Sequence, residues 1–311
     1  MTSKNNKERV LVSFDWALKR LLRNKADFDV VEGFLSELLE RPITITDVLE
    51  SESNKEHPTD KHNRVDVVVK DDRGEIILIE LQFILEIDYF QRMLYGASKA
   101  VVERMEQGDK YMKINKVYSI NIVYFDLGHG KDYVYWGKTH FKGIHDHEIL
   151  KLSEEQHKIF EKIEAGDLFP EYYILKVNNF DDVAKTSLDE WIYFLKNNKI
   201  KENFRAKGLI KARDILDFHR FSQAEQNDYN ALWMAKSHAR SQIASAKQMG
   251  ESKAEAKYSK AIKEKDKAIK KQDKALKEKD KALKEQKKAL EEQKKEIEEL
   301  KRLLNKNSPD Q

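Results

Sequence analysis

The stretch RVDVVVKDDRGEIILIELQ, residues 64–82, reads as two short strands of Val, Ile and Leu joined by a turn, with Asp66, Glu80 and Gln82 set into the apolar runs. Asp71-Asp72-Arg73-Gly74 suits a type I turn closed by a glycine in the left-handed region, a three-residue hairpin loop with a bulge. That loop sets Asp71 opposite Glu75. Counting outward, Asp66 falls opposite Glu80 and Arg64 opposite Gln82. Side chains alternate along a strand, so Gln82 shares the face of Glu80. The other face carries Val65, Val67, Val69, Ile77, Ile79 and Leu81, all apolar. A slip of one residue would undo this sorting, and the position of Gly74 argues against such a slip.

Directly opposed residues bring their side-chain roots within about 5 Å. Two carboxylates that close repel, more so where the dielectric is low. Three arrangements relieve the repulsion: a shared proton, a cation from Arg64, or a divalent metal between the acids. Carboxylates, backbone oxygens and water together suit Mg²⁺. Such an ion polarises a phosphate and generates hydroxide near neutral pH. The plainer reading is a hairpin edge whose polar residues are solvated, since D…E-x-Q alone is a loose motif.

Working outward, FDWALKRLLRN (14–24) and DFDVVEGFLSELLER (27–41) have apolar residues at helical spacing, and ITITDVLESES (43–53) alternates like a strand. After the hairpin, YFQRMLYGASKAVVERMEQG (89–108) reads as an amphipathic helix stopped by Gly108, with Phe90, Met93, Leu94, Ala97 and Val101 on its core face. KVYSINIVYFDLG (116–128) reads as a strand. Helices followed by three strands, a helix and a strand predict an α/β domain with one mixed sheet flanked by helices. Residues 151–248 read as a mostly helical extension in which EYYILKVNNF (171–180) looks like a strand entering a turn, and Trp191, Tyr193, Phe194 and Trp233 read as core.

From Ala261 the chain repeats AIKEKDK, AIKKQDK, ALKEKDK, ALKEQKK and ALEEQKK, a seven-residue period. Ile262, Ile269, Leu276, Leu283, Leu290 and Ile297 take one seam position, but the second is Lys or Gln until Leu300. This half-strength seam fits a charged spacer helix or a coiled coil that joins copies of the chain through residues 261–304. The expected divisions are therefore a core over 1–150, the extension over 151–248, the heptad helix over 249–306 and a disordered end over 307–311.

Charged residues make up 36% of the chain, above the roughly 25% of an average domain. Residues 251–306 hold 20 Lys and Arg against 13 Asp and Glu, so the tail is basic and, with +3 for the whole chain, the remainder is mildly acidic. The absence of cysteine excludes disulfides and Cys-ligated metals. With no apolar segment suited to a signal peptide or a bilayer span, a cytoplasmic protein without membrane contact is expected. HDH (145–147) lacks a third ligand at recognisable spacing, and LGHGKD (127–132) reads as a hairpin turn rather than a phosphate loop.

RVDVVV, IELQ, DYFQRMLYGASKA and GDKYMKINKVYSINIVYFDLG, together with VVEGFLSELL, resemble the PD-(D/E)XK nuclease family transposases, also called the Rpn recombination-promoting nucleases. The resemblance covers roughly residues 10–150 well; LFPEYYILKVNNFD and LDEWIYFLKNN look like the same family's later segment. It implies a restriction-endonuclease-like core and metal-dependent cleavage of DNA. Carried over by position, Asp66 and Glu80 are the motif acids and hold Mg²⁺ with the Leu81 carbonyl. Gln82 stands where the wider superfamily usually has Lys, and a neutral amide can orient water but adds no charge. A further acid from the first core helix is expected at Glu32, ahead of Glu37. Arg64, Arg92, Tyr95 and Lys99 are the expected DNA contacts, with ordinary surface packing as the alternative for the last three. The rival expectation for the whole chain is an inactive nuclease fold that binds DNA or protein and assembles through the heptads.

Overall fold

The computed structural model describes residues 11–49 and 67–306, so Arg64, Asp66 and the end over 307–311 lie outside the described residues. Two helices come first, α1 (Phe14–Leu21) and α2 (Phe28–Leu38), followed by β1 (Ile45–Leu49), β2 (Val67–Asp71), β3 (Ile76–Gln82), α3 (Tyr89–Val102) and β4 (Val117–Val123). The chain continues through β5 (Val134–Gly137), α4 (Glu154–Phe160), β6 (Glu171–Lys176), α5 (Ser187–Asn197), α6 (Leu209–Ile215) and α7 (Gln223–Lys306). The six strands form one mixed sheet in the order β1-β2-β3-β4-β6-β5. β3, β4 and β6 run parallel, and the remaining pairings are antiparallel.

The hairpin turn has the expected form. The Gly74 N–H donates to the Asp71 carbonyl at 3.0 Å, the Asp71 N–H donates to the Glu75 carbonyl at 3.0 Å, and Gly74 adopts φ +78°. The Asp71 carboxylate also accepts from the N–H groups of Arg73 at 3.0 Å and Glu75 at 2.8 Å, which fixes the loop from inside. The register then runs Lys70↔Ile76, Val69↔Ile77, Val68↔Leu78 and Val67↔Ile79.

Alternation divides the sheet between two cores. Val67, Val69, Ile77, Ile79 and Leu81 join the main core with α1, α2, α5 and α6. Its centre is aromatic: Phe14 meets Phe34 edge-on at 5.7 Å between centroids and Trp191 at 6.0 Å. Val68, Ile76 and Leu78 face the other way and pack under Ala97 and Ala100 of α3. α5 begins with a reciprocal cap in which Thr186 Oγ1 accepts from the Asp189 N–H at 3.2 Å and Asp189 Oδ2 accepts from the Thr186 N–H at 2.9 Å. The same aspartate accepts from the Tyr133 hydroxyl at 2.6 Å, which ties β5 to α5.

Four expectations are corrected. The sheet does not close by residue 150: β6 lies between β4 and β5, so the extension supplies an interior strand. For the same reason LGHGKD is not a hairpin turn, because the strands it connects are separated by β6. The buried face of α3 is Tyr89, Met93, Ala97 and Ala100, while Phe90 and Leu94 are 49% and 59% exposed. The same rotation turns Arg92 inward to Glu80. Trp233 is 61% exposed rather than core.

By contacts the chain forms two compact units, the first reaching Asn230 and the second starting at Ala231. In the first, the opening turns of α7 are capped by Ser222 and Glu225, and Tyr229 packs edge-on to Trp16 at 5.5 Å. In the second, α7 is a single helix on which Ile262, Ile269, Leu276, Leu283, Leu290 and Ile297 are each about half-exposed.

The α2 backbone passes very close to the turn before α6: a Cβ on Gly33 would stand 2.3 Å from the Lys207 carbonyl oxygen. Gly33→Ala is therefore expected to lower stability by about 1–3 kcal/mol. The check is a fall in the thermal melting midpoint, and an unchanged midpoint would refute the close approach.

Candidate functional site

β3 ends in Glu80, Leu81 and Gln82, and these residues meet the start of α3. Glu80 lies opposite Asn121 of β4 on the α3 face of the sheet. That face is apolar at Val68, Leu78 and Val117 but polar here, where Glu80, Ser119 and Asn121 are all buried. The Asn121 amide donates to Ser119 Oγ at 3.0 Å, and its carbonyl oxygen accepts from the Tyr89 hydroxyl at 3.3 Å.

Glu80 is 6% exposed, so its charge needs a partner. Arg92, one turn into α3, supplies it: Nη2 forms an ion pair with Glu80 Oε1. The same guanidinium donates through Nη1 to both oxygens of Glu86 at 2.9 Å each. Gln82 Nε2 donates to Glu86 Oε1 at 2.8 Å and to the Ile84 carbonyl at 3.1 Å. Burial alone would loosen the Arg92 proton, but the carboxylates of Glu80 and Glu86 outweigh it and hold the pKa above the usual arginine value. The Glu80, Gln82, Glu86 and Arg92 side chains therefore form one connected cluster. Its solvent side is at Glu86, whose side chain is 28% exposed against 8% for Glu80.

The oxygens of Glu80, Gln82 and the Leu81 backbone suit a hard cation such as Mg²⁺. The Gln82 carbonyl accepts from the Tyr124 N–H at 3.0 Å, so the alternate carbonyl of Leu81 faces the β2 side of the strand. Among the described residues no three His, Cys, Asp or Glu gather as a metal cluster. The expected second acid, Asp66, lies outside the described residues, as does the expected DNA contact Arg64.

The other expected residues divide. Arg92 is in the cluster, though bound to carboxylates. Tyr95 is half-exposed, and Lys99 forms an ion pair with Glu103 one turn on at 3.2 Å. Glu32 is not brought to the cluster. Its Oε1 accepts from the Ile45 N–H at 2.8 Å, and Ile45 pairs with Asp71 at the turn end of the hairpin. From there to Glu80 is about five residues of strand, on the order of 16 Å. Glu37 lines a separate cleft of about 860 Å³ with Arg41, Lys185 and Asp189.

The residue that sequence reasoning missed is Glu86, which holds both Gln82 and Arg92. Its signal was an acid inside the apolar run FILEI. Asn121 carried the same kind of signal, an amide within the strand VYSINIV.

A family model described as PD-(D/E)XK nuclease family transposase matches residues 12–246. No curated protein and no solved structure matches the chain.

Because Glu32 serves the start of β1, Glu32→Ala is expected to cost about 1 kcal/mol of stability. Any phosphodiesterase activity should survive at temperatures where the variant is folded. A loss of cleavage with an unchanged melting curve would restore Glu32 to the reaction.

Proposed function

This chain belongs to the PD-(D/E)XK nuclease family transposases, and from that membership and its restriction-endonuclease-like α/β fold we propose that it is a Mg²⁺-dependent DNA endonuclease acting in recombination or transposase-like DNA processing. The observation that supports the proposal most is the hairpin register. Each described pair from Lys70↔Ile76 to Val67↔Ile79 follows the count set by the turn, and the same count carried one step further would set Asp66 opposite Glu80. In this reading Asp66, Glu80 and the Leu81 carbonyl would hold the ion. The bound ion would polarise the phosphate and lower the pKa of a water.

The chain's own groups do the rest. Both Nε2 protons of Gln82 are engaged, by Glu86 and the Ile84 carbonyl, so Gln82 offers its Oε1 to orient the attacking water. The water oxygen bonds to phosphorus and gives up a proton to solvent, the opposite P–O bond breaks, and the departing oxygen takes up a proton from solvent. The products are one phosphomonoester end and one hydroxyl end. Arg92 supplies the positive charge that a lysine at position 82 would have brought. Tyr95 and Lys99, further along α3, contact the DNA backbone. The acidic body approaches a polyanion through the basic tail, sequence-independently and with strong salt dependence. Residues 261–304 join copies of the chain through their half-exposed Ile and Leu seam. The site of action is the cytoplasm.

One observation favours the second reading, an inactive nuclease fold that binds DNA or protein: Glu80 is buried under α3 and already neutralised by Arg92. Nicking of supercoiled plasmid separates the two. The parent is expected to nick with Mg²⁺ and to stop in EDTA, and Asp66→Ala to lose at least about a hundredfold in rate, in line with the contribution of a nucleophile-activating group. Equal rates for Asp66→Ala and parent would remove the chemistry from this strand pair. Deleting residues 250–311 is expected to lower the mass seen in sedimentation and to flatten the salt dependence of DNA binding. An unchanged mass would leave the heptads as a spacer.

A further inference from the structure

Glu80 and Glu86 are unequal partners of one arginine. The Glu80 side chain is 8% exposed and Glu86 is 28% exposed. A guanidinium presents two edges at once, and Arg92 spends one on each acid: Nη2 on Glu80, and Nη1 on both Glu86 oxygens at 2.9 Å. Glu86 is itself held from a second side by Gln82 Nε2 at 2.8 Å. The Tyr89 ring centroid lies 5.9 Å from the Arg92 guanidinium carbon.

Resting on the function proposed above, we infer that Arg92 is an exchangeable counter-ion: it neutralises Glu80 in the metal-free protein, moves off Glu80 when that carboxylate takes a divalent cation, and remains moored to Glu86 with its freed edge turned to a substrate phosphate. Three physical points carry this. A carboxylate as buried as Glu80 needs a positive charge in either state. A guanidinium and a divalent cation on the same oxygen repel, and arginine cannot relieve the repulsion by losing its proton. Mooring at Glu86, on the solvent side, lets Arg92 leave Glu80 without being abandoned in the interior. The released edge is a forked pair of N–H donors, the geometry that fits a phosphate. Glu86 is then a positioning residue, acting through Arg92.

The test uses the full chain and two probes. In calorimetry with MnCl₂ and no DNA, Arg92→Met is expected to bind Mn²⁺ about tenfold more tightly than the parent, since a competing charged hydrogen bond is gone. In the Arg92→Met background, adding Glu86→Gln is expected to leave Mn²⁺ affinity unchanged. A loss of Mn²⁺ affinity on adding Glu86→Gln would make Glu86 a ligand and overturn its mooring role. DNA affinity is read across a salt series in Ca²⁺, with the DNA checked on a gel to be uncut, and again in EDTA. The parent should gain about one phosphate contact in Ca²⁺, seen as a steeper salt slope, that Arg92→Met lacks; in EDTA the two slopes should agree.

Should Arg92→Met fail to fold, Mn²⁺-soaked crystals of the parent decide: Arg92 must be off Glu80 and on Glu86, and an Arg92 still on Glu80 beside bound Mn²⁺ sinks the inference. A parent that takes up no Mn²⁺ removes the metal site itself and this inference with it. A parent that binds Mn²⁺ while folded Arg92→Met binds no more tightly removes the counter-ion role alone.

Discussion

A carboxylate set into a sheet and covered by a helix must have a positive charge within reach, and at Glu80 that requirement organises the surroundings. Arg92 turns inward from α3 to meet it. The helix therefore buries Tyr89, Met93, Ala97 and Ala100 and leaves Phe90 and Leu94 to solvent. Apolar spacing alone would turn Phe90 and Leu94 inward beside Met93 and Ala97. The ion pair outweighs that preference because an unpaired charge at this depth costs several kcal/mol, more than the exposure of one or two apolar side chains.

The other end of the hairpin shows what a purely structural solution looks like. Asp71 and Glu75 are also buried acids in the sheet. Arg41 pairs with both, and Lys162 reaches Glu75 at 2.7 Å. Nearby, Lys116 binds Glu171 at 2.8 Å and the carbonyls of Asp167 and Phe169, and burial lowers its pKa despite them. These charges stitch the segment between β5 and β6 to the sheet. The Glu80 end differs in kind. There an amide stands at the motif position, and the cluster reaches solvent at Glu86. Buried acids in a strand therefore do not mark chemistry by themselves; the neighbouring amide and the opening to solvent distinguish the two ends.

Much of this was legible in the residues. The Asp71–Gly74 turn dictated the register because glycine alone accepts the positive φ without strain, and every described pair in the hairpin obeys that count. Alternation then sorted Val67, Val69, Ile77, Ile79 and Leu81 to one side of the sheet and Glu80 to the other. These are local rules, acting over a few residues of chain. β6 was legible as a strand but not as a neighbour of β4, because its parallel pairing joins segments some fifty residues apart, as in Tyr118↔Glu171. Glu32 failed for the same reason: its helix was read correctly, yet the group its carboxylate would serve, the Ile45 N–H, is a matter of packing.

By itself, the sequence determined the elements, the hairpin register, the face on which Glu80 and Gln82 stand, and the heptad period of the tail, since each follows from backbone geometry and side-chain alternation. Only the tertiary structure decided which charge meets which. It placed Arg92 on Glu80, brought Glu86 into the cluster and took Glu32 out of it. Ion pairing between distant segments is a three-dimensional coincidence of burial and distance, and no spacing along the chain encodes it.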